Sequence, residues 1–492
     1  MHLTELPNFI SCARRSFAGW VCVLVHAWAV AAPLAHASLV LPLQGTNRYS
    51  AHAAGNVMQV TDALGRVTYS TYDERNRPVS IHAARVWDSV SGDFVWPETF
   101  TVYDDAGRVT SVRDHTGATV HKAYDAAGRV WKATDALGHA TLSSYDPGGN
   151  VLTVTDALNR TTTNVYDDLS RLKTTTDGAG IVNEFEYDAA GNRTKVEDGL
   201  GQVTLFEYDL LNRLRRQEFA NGDVWTHAYN EIHKTSQTSP RGITTSYAYD
   251  ARDRLLTSTA PGLERHHSYD ACGRLLSVTE AGRPQATVAC TYDALGRLKT
   301  ETSQGVTHTY FYDLVGNRIR AEYGTGQVVE TSYDALNRPE TITQGDQMTR
   351  YGYDLAGRAV LLMAANGQVT ENTYDAAGRL KNRVLFRSLA QRSEQDVMAE
   401  FGWAHDEVGN VVTQHEVWPG SAERAAGVRA TTMTYDGANR LSVETITDPE
   451  QGTMVTSYAY DDANNRDTKT VVGGAEPGFW DYSYNDANQL TA

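Results

Sequence analysis

The chain has 492 residues and a formal net charge of -16, so a phosphate backbone would be repelled, and no run of Lys or Arg offsets this charge. Hydrophobic residues make up 41% of the chain, and 26 Tyr stand against 11 Phe, a balance that favours half-polar sheets with many turns over a thick aliphatic core. Composition therefore argues against nucleic acid as a partner.

The N-terminal segment differs from the rest of the chain. Arg14 and Arg15 precede an apolar stretch over residues 17–34, and Ala-His-Ala at 35–37 has the small-x-small form of a signal-peptidase site. The pattern predicts a Sec-type signal peptide over residues 1–37, a secreted or cell-surface product, and no stable membrane insertion after cleavage. The alternative is an uncleaved anchor, which is disfavoured because a span needs ~20 predominantly apolar residues.

From about residue 51 to the C-terminus the dipeptide Tyr-Asp recurs, and from Tyr103 to Tyr229 the Tyr returns every 21 residues, with Asn replacing Asp in the last of these copies. Each unit holds two turn signals: a first of the type YDAAGR, here called the YD turn, and about ten residues later one of the type TDALGR, here called the second turn. In both, Asp can accept hydrogen bonds from main-chain N–H groups and Gly can take positive φ.

The segments between turns are about five to seven residues long and rich in Val, Thr, Leu and Tyr, which is typical of strands. Hairpin-length connections predict an antiparallel meander. Aromatic residues two positions before the motif Tyr, such as Phe185 and Phe206, are expected on the same face as that Tyr. A sheet of so many strands is expected to coil into a spiral or shell; a propeller of paired units is the structural alternative.

The repeated Tyr-Asp-x-x-Gly-Arg, as in YDDAGR at 103, YDAAGR at 124 and 374 and YDALGR at 292, resembles the YD-repeat or RHS-repeat family. The resemblance covers about residue 51 to the C-terminus and implies an all-β fold of two-stranded repeats wound into a spiral shell, here an incomplete or open one over residues 38–492. Bacterial members are often secreted polymorphic toxins. Similar repeats occur in insecticidal toxin complexes and in teneurin-like animal adhesion proteins, and carbohydrate binding is associated with them.

The resemblance predicts a non-enzymatic scaffold, a partial shell that encloses or presents a toxin or effector absent from this chain. The implied partners are that cargo or further shell segments. The alternative is a cell-surface module that binds carbohydrate or mediates adhesion, and a third reading is a decayed gene product. The self-cleavage segment of full-length toxins is not recognised here, because Asp146-Pro147-Gly148 is a repeat turn. An open terminal strand would leave unpaired main-chain groups, which predicts oligomerisation or a missing partner.

The Tyr-Asp pairs could act as general acids or bind sugars, but so many equivalent positions favour a structural role, since a catalyst needs one tuned constellation. The turn Arg is expected to pack over a neighbouring Tyr or to pair with a turn Asp of the next unit. No zinc, calcium, phosphate-loop or nucleophile signature is present, so no enzyme activity, metal or cofactor is predicted. The predicted structural motif residues are Tyr103, Asp104, Gly107, Arg108, Tyr124, Asp125, Gly128, Arg129, Tyr292, Asp293, Gly296, Arg297, Tyr374, Asp375, Gly378 and Arg379.

Three irregular intervals are candidate recognition loops, because long loops on a rigid scaffold often carry binding residues. They contain Trp87 and Trp96, Trp403, and Trp418. The alternative is longer hairpins whose Trp side chains pack on the sheet. Cys272 and Cys290 occupy neighbouring repeats, and the sequence leaves open whether they form a disulfide.

Overall fold

The computed structural model describes residues 47–388, 396–420, 425–474 and 476–491. The predicted signal peptide lies outside the described residues, as do parts of the two later irregular intervals. The described residues belong to one compact unit, Pro42–Ala492. Within the described ranges, no helix is long and apolar enough to cross a membrane.

The described residues form 41 strands. The first twenty are β1 (Arg48–Ala51), β2 (Val57–Thr61), β3 (Val67–Tyr72), β4 (Pro78–His82), β5 (Val86–Asp88), β6 (Asp93–Val95), β7 (Glu98–Tyr103), β8 (Val109–Arg113), β9 (Thr119–Tyr124), β10 (Val130–Thr134), β11 (Ala140–Tyr145), β12 (Val151–Thr155), β13 (Thr161–Tyr166), β14 (Leu172–Thr176), β15 (Val182–Tyr187), β16 (Arg193–Glu197), β17 (Val203–Tyr208), β18 (Leu214–Glu218), β19 (Val224–Tyr229) and β20 (Lys234–Thr238).

The remaining strands are β21 (Thr244–Tyr249), β22 (Leu255–Ala260), β23 (Leu263–Tyr269), β24 (Leu275–Glu280), β25 (Arg283–Tyr292), β26 (Leu298–Ser303), β27 (Val306–Tyr312), β28 (Arg318–Glu322), β29 (Val328–Tyr333), β30 (Pro339–Gln344), β31 (Gln347–Tyr353), β32 (Ala359–Met363), β33 (Val369–Tyr374), β34 (Leu380–Phe386), β35 (Val397–His405), β36 (Val411–Trp418), β37 (Gly427–Tyr435), β38 (Leu441–Asp448), β39 (Gly452–Tyr460), β40 (Arg466–Val472) and β41 (Gly478–Asp481).

Successive strands pair antiparallel, so that the chain forms one continuous 39-stranded sheet. The exception is the hairpin β5–β6, which forms a separate two-stranded sheet while β4 pairs with β7. The predicted all-β meander is therefore confirmed, and the propeller alternative is wrong, since the pairing continues from unit to unit without a break between blades. The two outermost strands, β1 and β41, do not pair with each other, and the sheet is open.

A bulge recurs beside the YD turn. In the pair β15–β16, Glu186 lies opposite Lys195 and Tyr187 lies opposite Arg193, which leaves Thr194 as an extra residue. Equivalent register shifts occur in the pairs β9–β10, β17–β18 and β33–β34. Because a bulge increases the local right-handed twist, its regular recurrence favours a sheet that coils.

The two faces of the sheet differ in the way that the alternation of the sequence predicts. Along β15, Phe185 and Tyr187 are half-buried while Glu184 and Glu186 are exposed. Few side chains are buried, as expected for a single layer: among the described aliphatic and aromatic residues the buried ones are Ala84, Val86, Ile181, Ala321, Val369, Phe386, Trp418 and Val471. Contacts between side chains on neighbouring strands and contacts at the turns therefore provide much of the stability that a buried core provides in other folds.

Hydrogen bonds join residues that are 268–290 positions apart in the chain, so one winding of the coiled sheet contacts the next. Nη1 of Arg66 donates to the main-chain oxygen of Asp334 at 3.1 Å, and its Nη2 donates to Oδ1 of Asn337 at 2.9 Å. Nδ2 of Asn488 donates to Oδ2 of Asp198 at 3.1 Å. Each contact joins a second turn of the earlier winding, between residues 62 and 202, to a YD turn of the later winding, between residues 334 and 489. We call this line of contact the seam.

Candidate functional site

The YD turn is closed by its own Asp and Arg. In the turn at 125, Oδ1 of Asp125 accepts the main-chain N–H of Arg129 at 2.9 Å, and Oδ2 accepts Nε of the same Arg at 2.8 Å. Gly128 has φ +83°, where a side chain is disfavoured, and its N–H donates to the main-chain oxygen of Asp125. Both carboxylate oxygens are therefore used within the turn.

The same Arg reaches the next unit. Nη1 of Arg129 donates to the main-chain oxygen of Asp146 at 2.6 Å, and its guanidinium lies 4.7 Å from the ring centroid of Tyr145. The hydroxyl of Tyr145 in turn donates to the main-chain oxygen of Val130 at 2.6 Å. The expected packing of Arg over a neighbouring Tyr is present. The ion pair, however, lies within one turn and not between units, because the fifth turn residue lies directly beside the first.

The other motif residues singled out in the sequence have the same arrangement. Asp104, Asp293 and Asp375 accept from Arg108, Arg297 and Arg379 through both oxygens. Gly107, Gly296 and Gly378 all have positive φ. The hydroxyls of Tyr103, Tyr124, Tyr292 and Tyr374 donate to the main-chain oxygens of Pro78, Val109, Leu275 and Ala359. The structure distributes these residues along one edge of the sheet and does not bring them together.

The ionisation of these groups suits structure better than proton transfer. The main-chain N–H of Arg108 holds the pKa of Asp104 below its usual range, and the side chain of Arg254 lowers the pKa of Asp250 to about 2. Burial raises the pKa of Tyr292. A general acid or base needs a pKa near the working pH, whereas these shifts move Asp and Tyr away from neutrality.

We expect the free energy of unfolding to fall as the pH drops from about 4 towards 2. An Asp of the unfolded chain titrates near 3.9, and the pKa of Asp250 is about 2 in the folded state. The unfolded chain therefore binds more protons in this window, and stability present above pH 4 is lost on acidification. Urea unfolding at several pH values measures this, and Asp250→Asn should flatten the slope while Glu74→Gln, an exposed acid in another turn, should not. A midpoint constant down to pH 2 would contradict the expectation.

Trp87 and Trp96 lie on and just after the separate hairpin. The ring of Trp87 contacts Phe94 edge-on at 5.2 Å between centroids, and Trp96 lies 5.9 Å from Tyr69. Each Trp nevertheless keeps almost half of its surface exposed, at 48% and 46%. The two side chains thus pack against neighbours and still present aromatic surface to solvent.

Trp403 and Trp418 are on strands and not in loops. Trp403 lies on β35 and stacks on Phe401, with ring centroids 6.1 Å apart. Trp418 ends β36, is 5% exposed, and its Nε1 donates to the main-chain oxygen of Ala425 at 2.9 Å. The interpretation as loops is wrong for these two residues, because strands β34 to β37 are longer here and include part of the extra sequence. Burial removes Trp418 from any recognition surface.

The separate hairpin also connects the two windings. The main-chain N–H of Ser89 at its tip donates to the main-chain oxygen of Tyr353 at 2.9 Å. A Cβ on Gly352 would meet the side chain of Ser89, so this Gly makes room for the tip. Asp354, next to the contact, is 5% exposed. We call residues 83–97 the clasp, since they hold an end of β31 in the later winding.

Comparisons with known proteins agree with this architecture. The RHS Repeat family model matches residues 52–85 and 103–140, and the Teneurin YD-shell model matches residues 173–320. The repeats are RHS/YD repeats. No curated protein matches the chain.

Solved toxin complexes share the YD-shell fold. The crystal structure of TcdB2-TccC3 without its hypervariable C-terminal region is similar over 88% of this chain and 26% of that one, with a TM-score of 0.72 and 14% identity. For the Tc holotoxin pore of Photorhabdus luminescens the coverage is 90% and 28%, with a TM-score of 0.71 and 15% identity. Identity at this level establishes the fold alone, and this chain spans about a quarter of the length of those chains.

Sequence reasoning missed the seam. One close approach is between two glycines, since a Cβ on Gly178 would lie 2.6 Å from the main-chain oxygen of Gly437. A Cβ on Gly199 would likewise meet the main-chain oxygen of Asp462. These glycines follow the turn Asp directly and have no positive φ, so the turn itself does not require them. An extra Gly at that position, in DGAG, DGLG and DGAN, is the signal that could have indicated close contact.

A cavity of about 510 Å³ lies along the seam of the YD shell and is lined from both windings, by residues that include Lys122, His139 and Glu407. Among the residues that the structure describes, no group of three or more His, Cys, Asp or Glu side chains could hold a metal ion. Cys272 and Cys290 are both free thiols. The disulfide left open by the sequence is not formed.

Proposed function

We propose that this chain is a non-enzymatic scaffold whose wound sheet encloses or presents a toxin or other effector polypeptide. The observation that supports this most directly is the seam, because it closes the gap between successive windings. Neighbouring strands lie only ~4.8 Å apart, so a hydrogen-bonded sheet with a closed seam is a wall that a protease cannot pass. Further shell segments or a separate chain would supply the cargo.

The toxin-complex shells provide the second support for this proposal. The chain is similar over most of its length to part of the TcdB2-TccC3 chain, whose crystal structure lacks its hypervariable C-terminal region. The motif geometry fits a scaffold, since the carboxylates and hydroxyls of the turns are occupied by partners within the protein. The predicted signal peptide leads us to place the scaffold outside the cytoplasm, either secreted or at the cell surface.

Protease protection tests the enclosure. An unstructured probe of about 100 residues, with one protease site, is fused after the last residue and compared with the same probe on an unrelated folded carrier. We expect cleavage at least tenfold slower on the YD scaffold, because the wall excludes the protease. Gly178→Val, which disturbs the seam, should restore cleavage, whereas Ala365→Val, at an exposed second turn outside the seam, should not. Equal cleavage rates on both carriers would refute enclosure.

A surface-binding module is the second candidate function, and the exposed aromatic surface of the clasp favours it. Trp87 and Phe94 leave 48% and 52% of their surfaces free, and such rings can stack on sugar rings. We expect that glycan binding, if it is the function, is lost in W87A/W96A on a glycan array while W403A retains it. Array signals equal in all three proteins, or absent from the unmodified chain, would leave enclosure as the better account.

A further inference from the structure

Five of the eight YD turns between residues 167 and 317 carry large apolar side chains at their tips, and all of these side chains except Val315 are exposed. We call this edge the uncovered rim. Its exposed apolar residues, with the exposed fraction of each, are Leu169 (69%), Leu210 (102%), Leu211 (63%), Ile232 (70%), Leu295 (64%) and Leu314 (47%). Large apolar side chains repeated along one edge are unusual for a surface that meets only water.

The seam shows what happens to the same position when it is covered. Leu336 is the third residue of the turn Asp-Ala-Leu-Asn-Arg, next to the turn of Arg66, and it is half-buried. Leu295 is the third residue of the turn Asp-Ala-Leu-Gly-Arg on the uncovered rim, and it is 64% exposed. Val408, another third residue, lines the seam cavity and is also half-buried. An apolar third residue of a YD turn is therefore half-buried where the turn lies in the seam.

The opposite side of the seam gives a second matched pair. Ile181 is the fifth residue of a second turn within the seam, and it is only 6% exposed. Ile243 is the fifth residue of a second turn outside the seam, with the same main-chain hydrogen bonds, and it is 48% exposed. One chain therefore has uncovered YD turns on one edge of the sheet and uncovered second turns on the other edge. These are the two kinds of turn that meet along the seam.

We propose that copies of this chain associate head to tail, with the free second turns around Ile243 of one copy on the rim turns around Leu210 of its partner. Two copies have the same curvature and the same spacing of turns, so that contact at one unit continues at the next, as it does along the seam. In a head-to-tail pair the rim of one copy and the second turns of the other copy stay free. Further copies can therefore add at both ends, which gives a ring or a filament. The partner that the rim fits is a second copy of this chain.

Sedimentation velocity of the full chain over a range of concentrations tests the proposal. We expect a monomer at low concentration and dimers and larger species at high concentration. L210E/L211R should weaken the association at least tenfold. Its fold should be preserved, because the result is the turn sequence Asp-Glu-Arg-Asn-Arg that this chain already has at 73–77. The control is Val102→Glu on the exposed sheet face, where Glu186 stands at the same position of another unit.

A native thiol gives an independent readout. Cys272 is exposed on the uncovered rim, at the same turn position as Leu211. Its alkylation rate, followed by mass spectrometry of its peptide, should fall at least fivefold between the lowest and highest concentrations, and should stay constant in L210E/L211R. A monomer at all concentrations would overturn the proposal. Association unaffected by the rim variant, or rim contact only with a different polypeptide, would overturn it as well.

Discussion

Replacing Gly178 with Val should open the seam and lower the free energy of unfolding by about 2 kcal/mol, within the 1–3 kcal/mol typical of overpacking. A Cβ at this position would lie 2.6 Å from the main-chain oxygen of Gly437 and 2.9 Å from Cβ of Arg160. Neither atom is the free end of a flexible side chain, so the two windings must move apart. Urea unfolding measures the loss of stability, and hydrogen exchange should rise in strands β14, β15, β37 and β38.

The matched control for this variant is Ala365→Val. Ala365 is also the second residue of a second turn, but it is exposed and belongs to a turn outside the seam. The added methyl groups should therefore change the unfolding midpoint little. If both variants unfold at the midpoint of the unmodified protein, the seam is not a stabilising contact, and the enclosure argument loses its main support.

The local structure of the repeat could be predicted because its causes lie within a few residues. The Asp of the turn accepts from the fifth turn residue, and Gly128 supplies positive φ, so the sequence YDAAGR contains the interactions that close its turn. The alternation along β15 likewise determines which face holds Phe185 and Tyr187. These are short-range requirements that each unit meets independently. Because about twenty imperfect copies share one pattern, the pattern can be recognised in the sequence.

The winding could not be predicted in the same way. Arg66 and Asp334 meet only because the twist of every intervening strand pair adds up to one circuit. A small change in the twist of each strand pair would bring a different turn to Arg66. The total twist cannot be read from any local sequence pattern. The clasp is a second example: Ser89 contacts Tyr353 across the seam, and the sequence indicated only an irregular interval with two Trp residues.

The thinness of the sheet explains why turns matter so much in this protein. With only scattered side chains fully buried, apolar burial per residue is lower than in a domain with a two-layer core. The Asp–Arg–Tyr connection compensates in part, because an Arg such as Arg129 closes its own turn and contacts the ring and the main chain of the next unit. Neighbouring turns along this edge are therefore coupled, as expected of a repeat protein whose units contact their neighbours.

One YD turn differs from the others in burial, and this predicts an unequal response to the same substitution. The side chain of Asp354 is 7% exposed, against 24% for Asp125. Oδ1 of Asp354 accepts the N–H of Arg358 at 2.9 Å, and Oδ2 accepts its Nε at 2.6 Å. Removing a buried hydrogen-bond acceptor costs about 1–3 kcal/mol, because the main-chain N–H and Nε of Arg358 lose their partner. We therefore expect Asp354→Ala to lower stability by about 2–3 kcal/mol, and Asp125→Ala by clearly less, because water can replace the carboxylate at the more exposed turn.

Asp354→Asn separates the two contributions of that carboxylate. Asn can still accept the N–H of Arg358 through its amide oxygen, and the chain already has Asn at the equivalent position in Asn230, whose Oδ1 accepts two main-chain N–H groups. This variant should recover roughly half of the stability lost in Asp354→Ala. Urea unfolding gives the totals, and hydrogen exchange in β31 and β32, which flank the turn, shows where the loss occurs. Equal losses in the free energy of unfolding for Asp354→Ala and Asp125→Ala would mean that contact with the clasp does not stabilise this turn. The clasp would then contribute nothing to holding the two windings together at this point.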